Sequence, residues 1–171
     1  MSESQKFFGK YRGTVVNNVD VMQMGRIMAI VPDVSAVALT SWCMPCVPVA
    51  GIQTGVCTVR PIGAGVWIEF EQGDPDYPIW SGCYWGSPAE VPAMAHLVPP
   101  AVFGLTMQTT LQNGIVISDV PGPTGGIMLK STTGATIIVN DTGIYIQNGK
   151  GASIVMTGPT VTINAGAMVI T

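Results

Sequence analysis

The sequence predicts an all-β protein: a small N-terminal barrel followed by a repetitive tail of short strands. Three observations carry this reading. First, 21 Gly and 13 Pro stand among 171 residues, and both residue types break long helices and mark turns. Second, apolar residues recur two apart in both halves of the chain, which is the strand period. Third, glycines divide the tail at positions 126, 134, 143, 151, 158 and 166, in steps of seven to nine residues.

Charge divides the chain as sharply as glycine does. Only 10% of residues are charged, against about 25% in an average soluble domain. Residues 1–90 hold 5 basic and 8 acidic groups, and residues 91–171 hold only Asp119, Lys130, Asp141 and Lys150. A tail rich in Ile and Val is not a disordered one. So few charges mean that much of its surface faces other chains. The net charge of −3 offers no basic groove for a nucleic acid. No uninterrupted apolar stretch reaches the roughly 18–20 residues of a membrane span; the segment from Ala36 to Ile52 is broken by Pro45 and Pro48. Met1 to Phe8 carries no apolar run of the kind that exports a chain, so synthesis and folding in the cytoplasm are expected.

Residues 1–88 read as the barrel. Tyr11–Asn17 and Gly25–Val31 are β-rich runs separated by the turn signal Asn17-Asn18. A third strand is expected around Ser41–Val47. The clearest strand is Val66–Glu71, with Val66, Ile68 and Phe70 on one face and Trp67, Glu69 and Glu71 on the other. It leads into Gly73-Asp74-Pro75-Asp76, a tight-turn sequence, and Pro78–Trp85 returns as the last strand. Five strands in this length suit an OB-type Greek-key barrel.

Residues 89–113 read as a connector, because Pro92, Pro99 and Pro100 disfavour a regular helix or a central strand. His96, the single histidine, lies there without carboxylate or thiol neighbours at ligand spacing. It is expected to be structural or simply exposed. Cys43-Met44-Pro45-Cys46 has the CxxC spacing, but no helical periodicity follows it and Cys57 and Cys83 stand apart. Neither a redox pair nor a zinc site is expected. The four thiols are expected to be small buried hydrophobes. The carboxylates Glu69, Glu71, Asp74 and Asp76 are explained by a solvated strand face and a turn rather than by catalysis. Trp67, Trp80, Trp85, Tyr77 and Tyr84 are expected to pack against neighbouring protomers or the connector.

Residues 114–171 carry the repeat. After each glycine comes an apolar pair: Ile127/Leu129, Ile137/Val139, Ile144/Ile146, Ile154/Met156 and Val161/Ile163, followed by Met168-Val169-Ile170. Thr, Ser and Asn stand beside them. One face of each strand is therefore apolar and the other polar. Two inward side chains per octad do not enclose a core. Their burial at roughly 1.5–3 kcal/mol each falls short of a backbone entropy cost of roughly 1–2 kcal/mol per residue. Three chains sharing one axis supply the missing inside, with the ten paired residues as the trimer core and each strand pairing with neighbouring chains. The expected object is a stiff rod on the order of 30 Å long, from the roughly 5 Å spacing of strands laid crosswise.

The chain resembles the central spike proteins of contractile injection systems: the phage baseplate assembly protein V type, extracellular injection particles and the VgrG proteins of type VI secretion. The resemblance rests on Tyr11-Arg12-Gly13, Gly25-Arg26-Ile27, Cys46-Val47-Pro48, the run Gly63–Phe70, Gly73–Trp80, Gly82–Gly86, and Gly122–Gly126 with the octads that follow. Within the barrel it falls on Trp67, Glu69, Gly73, Asp74, Pro75, Pro78, Trp80 and Gly82. It implies an OB-fold barrel followed by an intertwined trimeric β-helix, a homotrimer seated by its OB domains on a baseplate hub beneath the inner tube. Sheath contraction would drive the rod through the target envelope, with transient membrane contact and with no enzyme activity, cofactor or metal. The connector is too short for the lysozyme domain some relatives carry. With His96 alone, the chain also lacks the His-x-His apex that binds iron in others. The apolar end Val169-Ile170-Thr171 implies a cap by a PAAR-type tip protein. A trimeric carbohydrate-binding fibre or adhesin is the alternative reading, and an OB nucleic-acid binder a weaker one.

Overall fold

A computed structural model describes residues 5–170, the side chains of Val169 and Ile170 excepted. The chain divides into two units, Met1–Glu90 and Val91–Thr171.

The first unit contains β1 (Tyr11–Asn17), β2 (Met28–Ile30), the one-turn helix α1 (Pro32–Ser35), β3 (Met44–Pro45), β4 (Ala50–Gly51), β5 (Thr54–Gly55), β6 (Gly65–Phe70) and β7 (Pro78–Tyr84). Five strands form one sheet in the order β2-β1-β6-β7-β3, and β4 and β5 form a separate hairpin. β1 pairs antiparallel with β2 and β6, β6 antiparallel with β7, and β3 closes onto β7 in parallel. The alternation expected of β6 is present: Val66, Ile68 and Phe70 are buried, and Gly65, Trp67 and Glu69 are half-exposed. They join Val15, Ile27, Ala29, Val31, Cys43 and Trp80 in one core. The strand stops one residue short of expectation. Glu71 opens a 3₁₀ turn to Gly73, whose Asp74 N–H donates to the Glu71 carbonyl.

Gly73 has φ +75°, and a Cβ there would lie 3.0 Å from the Phe8 ring and 3.2 Å from the Phe7 nitrogen. Only glycine meets both demands, because the N-terminal segment crosses this turn, with Phe7 N–H donating to the Gly73 carbonyl. Phe7, Tyr11 and Phe70 pack as an aromatic cluster beside it.

In the second unit a 3₁₀ segment, Ala93–Leu97, precedes eight strands: β8 (Gly104–Gln108), β9 (Gly114–Ser118), β10 (Gly126–Lys130), β11 (Thr136–Asn140), β12 (Gly143–Gln147), β13 (Ser153–Thr157), β14 (Thr160–Ile163) and β15 (Met168–Ile170). They form one sheet in chain order, every neighbouring pair antiparallel. Two expectations change here. β8 lies inside the span read as connector: the connector's prolines end at Pro100, and Leu105 and Met107 begin the alternation five residues later. The second change concerns pairing. The ladders run between consecutive strands of one chain, so β9 to β14 use both of their edges within it. What the sheet leaves uncovered is a face.

Candidate assembly interface

The register of the ladders decides how the apolar pairs come together, because directly opposed residues of an antiparallel sheet share a face with Cβ atoms roughly 4.5–5.5 Å apart. One row crosses the sheet as Leu105, Ile117, Ile127, Val139, Ile144, Met156 and Val161. A second runs beside it as Met107, Ile115, Leu129, Ile137, Ile146, Ile154, Ile163 and Met168. All ten residues read as paired positions in the sequence stand in these two rows. Leu105, Met107, Ile115 and Ile117 extend them beyond the expected set, because they precede Gly126, the first of the regularly spaced glycines.

Among the described residues of one chain, nothing packs over these rows. Ile127 is 46% exposed, and Leu129, Ile137 and Val139 are each 41% exposed. Ile144, Ile146, Met156, Val161 and Ile163 are half-buried by their neighbours. Leu129, Ile137 and Ile146 line an open groove of about 560 Å³. A continuous apolar surface of this extent, spanning eight strands, exceeds what monomers usually expose and marks an association site.

The opposite face departs from the expected Thr, Ser and Asn exterior. Its middle row reads Thr106, Val116, Met128, Ile138, Tyr145, Val155 and Thr162. Val116 and Ser118 are buried, as is Met94 of the 3₁₀ segment that contacts β8 and β9. Polar residues occupy the margins, and Tyr145 hydrogen-bonds Thr142 through its hydroxyl at 2.8 Å. Gly126, at φ +82°, marks where the chain enters β10, and a Cβ there would run into the Val139 carbonyl.

In the first unit the motif residues have distinct local tasks. Trp80 is buried in its own domain's core rather than against another chain. Its indole N–H donates to the Gly25 carbonyl at 3.0 Å, and the Arg60 guanidinium lies 4.7 Å from the ring centroid. Trp67 packs on Tyr84 at 5.0 Å with Arg12 over both rings; Tyr77 and Trp85 are exposed. The ladder shifts between Trp67 and Ile68, opposite Gly82 and Trp80, leaving Ser81 as the extra residue. Glu69 pairs with Lys10 at 2.7 Å, which holds its carboxyl below the usual range. Asp74 accepts the Asp76 N–H and pairs with Lys6. Pro78 is fully buried at the start of β7, and Pro75 sits in the turn before it.

Sequence reasoning missed a further anchor. The Asp20 carboxylate accepts backbone N–H groups of Met22, Met24 and Arg26 and the Arg26 guanidinium, at 2.6–3.2 Å. The Arg26 hydrogen bond holds the carboxyl well below the usual carboxylate range, and Arg26 itself lies over Trp42. The local signal was an Asx-type Asp two residues before a donor in a Gly-ended loop.

Cys43 is buried, and burial pushes its thiol pKa up. Cys46, Cys57 and Cys83 are exposed, against expectation, because they fall on loops or on a strand face away from the core. His96 is exposed on the 3₁₀ segment. Among the described residues no three His, Cys, Asp or Glu side chains converge at metal-binding distance, and no helix is long and apolar enough to cross a membrane.

A curled five-stranded half-barrel and, after it in the chain, an antiparallel meander with one bare apolar face define a class of two-domain β proteins that complete their core by association. Residues 11–85 match the type VI secretion system/phage-baseplate injector OB domain, and residues 104–169 match the phage baseplate V C-terminal trimerisation domain. The chain belongs to the phage baseplate V family, the structural baseplate and spike proteins of phage tails and type VI injectors. It is a trimerising component of such a tail-like particle. No curated protein matches it.

Proposed function

We propose that the protein is the central spike itself: a force-bearing, non-enzymatic homotrimer seated on the hub through its OB domains and driven through the target envelope when the sheath contracts. The observation that carries this is the pair of unbroken apolar rows on one face of the sheet. Three such faces turned to a common axis give Ile127, Leu129, Ile137, Val139, Ile144, Ile146, Ile154, Met156, Val161 and Ile163 a shared interior. Each chain then forms one wall of a prism. Eight strands laid crosswise at about 4.8 Å spacing give a rod about 35 Å long. Bending it requires many ladder hydrogen bonds to yield together, which makes it suited to transmitting force.

On this reading residues 1–88 form the mounting domain and residues 114–171 the body of the rod, with the particle assembled in the cytoplasm. A PAAR-type protein caps the end that includes Val169-Ile170-Thr171, where Thr171 and the side chains before it lie outside the described residues. Particle imaging tests the placement. Density for the OB domains on the hub, and for the sheet at the tip-ward end of the axis, is the expected result. Particles that place this chain anywhere off the central axis would contradict it.

A further inference from the structure

Residues 91–171 carry four charges, and the ladders sort them by sign. Asp119 follows β9 and Asp141 follows β11, at the flank of the sheet where Ser118 opposes Gly126 and Asn140 opposes Gly143. Lys130 ends β10 and Lys150 follows β12, at the other flank, where Lys130 opposes Thr136 and Thr136 opposes Gln147. One flank is acidic and the other basic, a strand's length of about 14 Å apart.

Asp119, Asp141 and Lys150 are exposed and Lys130 is half-buried. Among the described residues none of the four is in an ion pair; the pairs present all lie in the first unit. Asp141 accepts the Gly122 N–H at 2.9 Å, which fixes its carboxylate at the flank and leaves further acceptor sites. The flanks differ in shape as well. On the acidic one, β11–β12 and β13–β14 turn in two residues each, Asp141-Thr142 and Gly158-Pro159. On the basic one the turns span 131–135 and 148–152, and the groove of about 560 Å³ has Lys130, Asn113 and Asn148 in its wall.

Along the sheet the charges follow in the order Asp119, Lys130, Asp141, Lys150, at β9, β10, β11 and β12 in turn. Neighbouring strands are about 4.8 Å apart, a step that a lysine side chain spans. Chains related by rotation about the rod axis all point the same way. Each corner then brings the acidic flank of one chain to the basic flank of the next, and the four charges interleave as acid, base, acid, base. An antiparallel arrangement would set like flanks together, and opposed like charges repel.

We propose that these four residues form an intermolecular latch at each corner of the trimer. Lys130 lies between Asp119 and Asp141 of the next chain, and Lys150 reaches the same Asp141, which fixes the parallel orientation and axial register of the chains. This rests on the reading that the bare faces turn to a common axis. Charge complementarity, with a narrow flank set against a recessed one, names a second copy of this chain as the occupant. Exposed ion pairs contribute little stability each. The latch therefore acts on orientation and partner choice, and the loss of one charge leaves the trimer standing.

Two experiments test it on the full-length protein. In the first, the native protein, its mass established by light scattering, is treated with a carbodiimide, which joins a carboxylate to an amine in contact with it through an amide. Peptide mapping of the species that stay linked under denaturing conditions is expected to find Lys130 joined to Asp119 or Asp141, and Lys150 joined to Asp141. The two flanks of one sheet are too far apart for such a bond, so each amide joins two chains. A trimer that yields none of these amides overturns the latch and leaves the inward-facing rows standing. A protein that forms no trimer overturns that reading itself, and the latch with it.

In the second, Asp119→Lys, Lys130→Asp, Asp141→Lys and Lys150→Asp are combined in one chain, which exchanges the two flanks at constant net charge. The reversed chain is expected to trimerise alone and to sort from the native chain when the two, differently tagged, are refolded together. Random association makes about three quarters of the trimers mixed, and sorting in low salt is expected to cut that share at least about fivefold. Random mixing in low salt overturns the proposal. Where the reversed chain does not fold, the amides of the native protein decide.

Discussion

Ile137 of β11 lies directly opposite Ile146 of β12, midway along the row that runs from Met107 to Met168. The pair shares the bare face with Leu129 on one side and Ile154 on the other. Nothing among the described residues covers it, so substitutions here report on association more than on the sheet's own hydrogen bonds.

Ile146→Asp is expected to abolish the trimer. Three carboxylates would meet near the axis without partners, at an effective cost on the order of several kcal/mol each. Sedimentation velocity checks it: the variant runs as monomer or aggregate, and Lys150→Ser, on an exposed loop, stays trimeric.

Trp80→Phe tests the core of the first unit. It removes the indole donor from the Gly25 carbonyl and part of the surface against which Arg60 lies. A loss of about 1–3 kcal/mol is expected, read from denaturant unfolding of the OB domain, with the trimer mass unchanged.

Gly73→Ala places a Cβ at a left-handed position and against the Phe8 ring. The backbone alone costs about 1–2 kcal/mol. The variant is expected to unfold at lower denaturant and to expose Phe7 and Phe8 to faster hydrogen exchange, because the N-terminal segment is held at this turn.

Asp20→Asn tests the loop anchor through pH. The folded carboxyl lies below its unfolded counterpart, so its contribution is present above the ordinary carboxylate range of about pH 4. That contribution is lost as pH falls below that range toward the folded value. The native protein is therefore expected to lose stability in this acid window. The Asn variant starts less stable at neutral pH, and the gap between the two narrows as the pH is lowered.

Much of this architecture was readable because strand alternation is written locally. Val66, Ile68 and Phe70 point inward whatever surrounds them, and the apolar pairs after each glycine of the tail announce one shared face. What was not readable depends on distant partners. β8 was hidden by Pro92, Pro99 and Pro100, which mask the alternation of Leu105 and Met107 just beyond them. The β4–β5 hairpin has too few residues per strand to show a period. Burial of a cysteine depends on which strand face it falls on, so Cys43 and Cys83 differ although their residue type is the same. Pairing within one chain rather than between chains is set by turns such as those at Gly134 and Gly158, and the octad period alone is compatible with either. The Asp20–Arg26 anchor is a three-dimensional fact with only a faint local signal.

The most direct test of the central claim is the mass of the full-length protein in dilute buffer by light scattering, combined with hydrogen exchange over residues 104–168. The expected result is three chains of 17.9 kDa and slow exchange across the strands for as long as the trimer persists. A stable single chain with the same strands protected would contradict it, since the two apolar rows would then need no partner.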